Sequence, residues 1–175
     1  MRTLIVFESM YGNTRAVAEA VAGGIGSVGE VEIVEVSSAP VQPASGVDLI
    51  VIGAPTHAHG LSRPQSRESA AHQGPTISRG IGVREWVDGL KIPAGTRVAA
   101  FDTRFAKARW ITGSAALTTR KLLRRKGLAG DVATESFFVD HSLGPLHDGE
   151  LRRARSWGAG LSGVAGSAYH GEPAR

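Results

Sequence analysis

A chain of 175 residues, 42% hydrophobic and 21% charged, is long enough to bury a continuous core and too apolar to stay disordered. It has no cysteine, which excludes disulfides, thiolate nucleophiles, iron–sulfur clusters and thiolate zinc sites, so any redox chemistry falls to a bound organic cofactor. The net charge of +4 is uneven: residues 1–88 sum to −3, residues 89–175 to +7, and eight basic residues with no acid lie between Arg104 and Lys126.

The run "TLIVFE" (3–8) is short, β-branched and apolar on both faces, which predicts a buried strand. "RAVAEAVAGGI" follows with Val17, Val21 and Ile25 on one helical stripe, and Gly23–Gly24 are expected to weaken its end. "EVEIVEV" (30–36) reads as a second strand at an edge, its acids facing water, and "SSAPVQPASG" as a loop. "VDLIVIGA" (47–54) and "TRVAAFD" (96–102) are the third and fourth strands. Between them, "RPQSRESAAHQG" and "GIGVREWVDGLKIPAG" are each expected to hold a short helix, the second anchored by Trp86 and Leu90.

"GSAALTTRKLLRRKG" (113–127) predicts a helix starting at Ser114 and stopped by Gly127. "ATESFFVD" (133–140) is the fifth strand, and residues 148–165 close the chain as a helix. Trp86 and Trp157 are read as packing residues. The expectation is one domain over 1–165 with a loose tail over 166–175. Strands alternating with helices imply a three-layer α/β/α sandwich with a parallel sheet of five strands and right-handed crossovers. In such sheets ligands bind beyond the carboxyl ends of the strands.

Three loops leave those ends. In "SMYGNT" the hydroxyl and amide side chains of Ser9, Asn13 and Thr14 surround Gly12 at a helix start. Helix-terminal N–H groups and hydroxyls together can seat a phosphate monoester without a cation. There is no Lys of a Walker loop and no G-x-G-x-x-G, so neither triphosphate nor dinucleotide binding is indicated. The other reading is that these residues only cap the helix. His57-x-His59 could pair on a metal in an extended loop, but His72, His141 and His147 add no compact ligand pattern, so no metal is expected.

The run "LIVFESMYGNTRAVAEAVA" resembles the phosphate-loop signature of the flavodoxin family, Ser/Thr-x-x-Gly-x-Thr between a strand and a helix. "GAPTHAHG" and "FDTR" stand where that family places its two ring-binding loops. The resemblance implies a flavodoxin-like sheet of order 2-1-3-4-5 and FMN as cofactor. It implies that Ser9, Met10, Tyr11, Gly12, Asn13 and Thr14 surround the phosphate. Pro55, Thr56, His57, Ala58, His59 and Gly60 would line one side of the flavin ring. Asp102, Thr103 and Arg104 would form the other side, with Phe105 or Trp110 as covering aromatics. Asp102 is open to a second reading, as a cap or brace for a loop. Arg104, Lys107 and Arg109 would favour an anionic reduced flavin and make its couple less negative than in an acidic flavodoxin.

The function expected is therefore electron transfer through bound FMN, with no side chain acting as nucleophile or general acid–base. The partner would be a redox protein, acidic where it meets the basic stretch. An alternative is an NAD(P)H-dependent reductase passing electrons to a quinone-like acceptor, with NAD(P)H and that small acceptor as partners. A second alternative is a binding module that has lost its flavin. Nucleic-acid binding lacks any motif. No run reaches the length of a membrane helix, and Glu8 interrupts the first apolar run where a secretory leader would be continuous. A cytoplasmic protein without membrane association is expected.

Overall fold

The computed structural model describes residues 1–27 and 29–163. The tail expected over 166–175 lies outside the described residues. Five strands, β1 (Arg2–Phe7), β2 (Glu30–Glu35), β3 (Leu49–Pro55), β4 (Arg97–Phe105) and β5 (Ala133–Val139), form one parallel sheet of order β2-β1-β3-β4-β5. The helices are α1 (Asn13–Ile25), α2 (Pro64–Gln73), α3 (Val83–Gly89), α4 (Arg109–Thr112), α5 (Ala115–Arg125) and α6 (Glu150–Gly163). This is the three-layer sandwich and strand order that the sequence predicts.

The central strands are apolar on both faces because helices cover both. Leu4, Val6, Ile50, Ile52, Val98 and Ala100 pack with Trp86 of α3 and Leu123 of α5. The alternate residues Ile5, Phe7, Leu49, Val51, Ala99 and Phe101 pack with Val17, Val21 and Ile25 of α1 and with Ala154 and Leu161 of α6. This period of two, read with the helical stripe of α1, divides the core into two layers. Phe101, Phe137 and Trp157 meet edge to face, their ring centroids 6.0 to 6.2 Å apart.

Gly23 and Gly24 do not end α1, which continues to Ile25. A Cβ on Gly24 would overlap the Arg155 carbonyl, and one on Gly158 would overlap the Val21 carbonyl. The two helices thus cross with their backbones in contact, which only glycine at both points allows. Gly24→Val is expected to destabilise the fold by about 3 kcal/mol or more, because packed backbones cannot separate without opening the layer behind them. A thermal midpoint equal to that of the native protein would refute the close crossing.

β4 runs three residues beyond the predicted end at Asp102. Its ladders continue on both sides, Pro55 opposite Thr103 and Phe105 opposite Val139, so residues 102–105 stay in the sheet. Their side chains alternate between faces. At the far edge, Glu150 accepts from the Phe138 N–H at 2.7 Å and from Arg153 at 2.6 Å. Burial opposes ionisation of Glu150, but these hydrogen bonds hold its carboxyl below the ordinary carboxylate range. They fix the carboxyl end of β5 beside the strand-end cavity.

Candidate functional site

Gly12 sits at φ 100°, a left-handed conformation that favours glycine, and turns the chain from the end of β1 into α1. The buried Ser9 hydroxyl accepts from the Gly12 N–H at 3.1 Å and from the Arg15 N–H at 3.3 Å. It therefore caps the helix start. The Ser9 backbone is tied in turn to Ser78, through the Ser78 hydroxyl at 2.9 Å and the Ser78 N–H at 2.9 Å. Tyr11 donates its phenol to the Ala70 carbonyl at 2.8 Å, fastening the loop to α2. Thr14 shares a 2.8 Å hydrogen bond with Thr103.

The backbone N–H groups of Met10, Tyr11, Asn13 and Thr14 find no acceptor among the described residues. Capping thus accounts for part of the loop and leaves a set of donors at a positive helix end. They border a cavity of about 330 Å³, within the size range of small-ligand sites. The other strand ends supply Pro55, Thr56, His57, Ala58, Thr103, Arg104, Phe105 and Val139. The loop makes an end of amides and hydroxyls, whereas the rest is mixed, with apolar surface from Pro55, Ala58, Phe105 and Val139 beside Thr56, His57, Thr103 and Arg104. That division fits a flat ring carrying a phosphate, the shape of FMN.

The predicted residues do not all meet there. Ser9, Met10, Tyr11, Asn13, Thr14, Pro55, Thr56, His57, Ala58, Thr103 and Arg104 line the cavity. Gly12 shapes the loop without lining it. His59 and Gly60 line a neighbouring groove instead, beyond a tight turn closed by reciprocal 2.8 Å hydrogen bonds between His57 and Gly60. Asp102 is placed elsewhere. Being one residue before Thr103 in an extended strand, it points to the opposite face, fully buried. There it accepts from the Ser114 hydroxyl at 2.5 Å and from the Ala116 N–H at 3.0 Å. It is a brace for α5, the second of its two readings, and it does not line the cavity.

Arg104 is 9% exposed and donates to the carbonyls of Phe105 and Lys107 and to the Thr112 hydroxyl. Its guanidinium lies 5.0 Å from the Phe138 ring centroid. It pins the loop after β4 as much as it borders the cavity. Burial, helped by the nearby charge of Arg67, lowers the pKa of His57, so this imidazole is neutral at neutral pH. Trp110 stands 84% exposed, outside the cavity.

Two contributions went unread in the sequence. Ser66, Ser69, Ala70 and Gln73 of α2 form one cavity wall. Their i, i+3, i+4, i+7 spacing is that of a helix face, small and polar where an apolar stripe is usual. The other is Glu8, which is 0% exposed. It accepts from the Val83 N–H at 2.8 Å, while its second oxygen has no partner among the described residues. Ser62 and the Arg67–Glu85 pair at 3.2 Å complete its surroundings.

Burial raises the pKa of Glu8 against the hydrogen bonds from Ser62 and Val83. A raised carboxyl pKa contributes stability below the unfolded value and loses it as pH rises through the folded value. Glu8→Gln is therefore expected to gain stability relative to the native protein between about pH 4 and pH 7. Glu8→Ala, which strands the Val83 N–H, is expected to lose about 1–3 kcal/mol. Thermal midpoints across that range check both, and a gap between Gln and native protein that does not change with pH would refute the first.

The fold and site define a flavodoxin-like α/β sandwich with a ligand cavity at the carboxyl ends of β1, β3 and β4. Residues 4–66 match the family described as Flavodoxin domain. Among solved structures, the chain is similar to a flavodoxin from the domain Archaea, with 18% identity, TM-score 0.62, and 93% of this chain and 97% of the other covered. It is similar to oxidised Flavodoxin 2 from Bacillus cereus, with 18% identity, TM-score 0.63, and 93% and 99% covered. A flavodoxin, WrbA-like protein from Agrobacterium tumefaciens gives 18% identity, TM-score 0.54, and 94% and 96% covered. Comparison with curated proteins returns no match. The matched segment marks a flavodoxin-domain likeness over residues 4–66, and the solved structures show the shared flavodoxin-like fold. Among the described residues no group of three His, Asp or Glu is placed to hold a metal, and no helix is long and apolar enough to cross a membrane.

Proposed function

We propose that the protein binds FMN in the strand-end cavity and transfers electrons through it. The observation that carries this reading is the convergence of the open N–H groups of Met10, Tyr11, Asn13 and Thr14 with Pro55–Ala58 and Thr103 on one cavity. FMN, when bound, supplies reversible one- and two-electron chemistry. The chain's own residues hold and orient it. Ser9, Asn13, Thr14 and the loop amides would take the phosphate; Pro55, Thr56, His57 and Ala58 would border the ring on one side, and Thr103, Arg104 and Phe105 on the other.

The neighbouring surface fits an electron-transfer role. Phe105 lines the cavity and is exposed, Leu143 is exposed next to the lining residue Ser142, and the segment after β4 exposes Trp110 and Ile111 with Lys107 and Arg109 adding positive charge. An acidic redox protein would find an apolar centre with a basic rim there. A visible absorption spectrum of the purified protein, before and after adding FMN, tests the reading. Flavin bands and saturable FMN binding support it. A colourless protein that takes up no added FMN overturns it.

A further inference from the structure

A second groove of about 390 Å³ adjoins the first and shares His57, Ala58, Ser66 and Ser69 with it. Its own lining carries two guanidiniums, Arg63 and Arg84, with His59, Gln65 and Thr118 as further polar groups and no carboxylate. The two guanidiniums are unlike that of Arg67 nearby, which pairs with Glu85 at 3.2 Å. Arg63 and Arg84 make no ion pair among the described residues. Arg84 is nonetheless held in place, donating to the Leu61 carbonyl at 3.0 Å and the Ser62 carbonyl at 3.3 Å. A guanidinium fixed by backbone and lacking an anion is pre-organised to receive one.

The turn that borders the groove adds a second observation. Ala58 and His59 both have positive φ, 39° and 73°, in a turn that ordinarily carries Asn or Gly. Left-handed residues with a Cβ cost about 1–2 kcal/mol each, and such strain collects where a ligand is gripped. Glu68 of α2 lines a different groove, and two further carboxylates do not oppose an anion. Glu85 is already paired with Arg67, and burial opposes the charged form of Glu8.

The geometry points to a second binding site, for a small molecule that carries phosphate groups, formed by Arg63, Arg84, His59 and Thr118 beside the flavin cavity. Arginine forks match phosphate oxygens. The wall shared with the first cavity, His57 and Ala58, would bring the rest of the ligand against whatever ring fills that cavity. The site deepens the flavin reading, because a phosphate-bearing redox co-substrate belongs next to a flavin. Its anion binding is nevertheless measurable without reference to flavin.

Isothermal titration of the purified protein with inorganic pyrophosphate, ADP and NADP⁺ tests it. All three are expected to bind with one-to-one stoichiometry and to compete. A tighter fit for ADP and NADP⁺ than for pyrophosphate identifies a nucleotide as the occupant, and equal affinity identifies the free anion. Arg63→Gln, at an exposed position, is expected to weaken binding at least about tenfold. Arg124→Gln removes the same charge from a distant exposed pair with Asp131 and is expected to leave it unchanged. FMN affinity is expected to stay within about twofold in Arg63→Gln, since that residue does not line the first cavity. Equal binding by native protein and Arg63→Gln, equal weakening by the two variants, or no binding of any probe at millimolar concentration overturns the site. If FMN fails to bind while anion binding still depends on Arg63, the flavin reading falls and this site stands.

Discussion

FMN is expected to bind the Ser9→Ala/Thr14→Ala double variant at least about 100-fold more weakly than the native protein. Each hydroxyl lost from a charged ligand removes about 1.5–3 kcal/mol. Ser9 has a second effect, because its oxygen also gathers the Gly12 and Arg15 N–H groups and so shapes the loop that presents the open amides. Thr14 is linked to Thr103 across the cavity floor, and its removal loosens both strand ends at once. Riboflavin, which has the same ring and no phosphate, separates the contributions. The native protein is expected to prefer FMN over riboflavin, and the double variant to lose that preference while keeping its thermal midpoint within a few degrees. Fluorescence titration of both flavins measures it. An unchanged preference means that the loop does not seat a phosphate.

Asp102→Ala is expected to destabilise the fold by about 3–5 kcal/mol, the range for breaking a buried charged partnership. The carboxylate serves the Ser114 hydroxyl and the Ala116 N–H, and Arg104 approaches it at 4.0 Å. Alanine would leave the Ser114 hydroxyl and the Ala116 N–H at the start of α5 without an acceptor and would take the neighbouring negative charge from the buried Arg104 guanidinium. For a chain of this size the loss amounts to about 10 °C or more in thermal midpoint. The readout distinguishes a brace from a ligand contact. A brace lowers stability first and FMN affinity only through it, whereas a contact would lower affinity at an unchanged midpoint. The latter result would restore Asp102 to the ring site.

Most of the fold was legible because its signals are local. The apolar runs of β1, β3 and β4 are short, β-branched and interrupted by turn residues, so length and composition separate them from helices. The stop at Gly127 and the start at Ser114 were readable for the same reason; Ser114 accepts from the Leu117 N–H at 3.1 Å. The loop over residues 9–14 was readable because polar residues clustered around a glycine straight after a buried strand.

What failed depended on neighbours distant in the chain. The end of β4 is set by pairing with β3 and β5, which carries the alternation of faces through Asp102, Thr103 and Arg104. Glu8 looked like an interruption of an apolar run; its partners Ser62, Arg67 and Val83 lie more than fifty positions away. Gly24 does stand one residue from the end of α1, but nothing in the local sequence announces the backbone of α6 beside it.

That crossing of α1 and α6 bears on how the protein is made. α1 leaves the ribosome well before the helix that covers part of its Val17–Val21 stripe, because that helix follows all five strands. At ordinary elongation rates the delay is on the order of ten seconds. Throughout that interval the nascent chain presents an uncovered apolar ridge to water or to a chaperone, and the sandwich closes only when its last helix arrives.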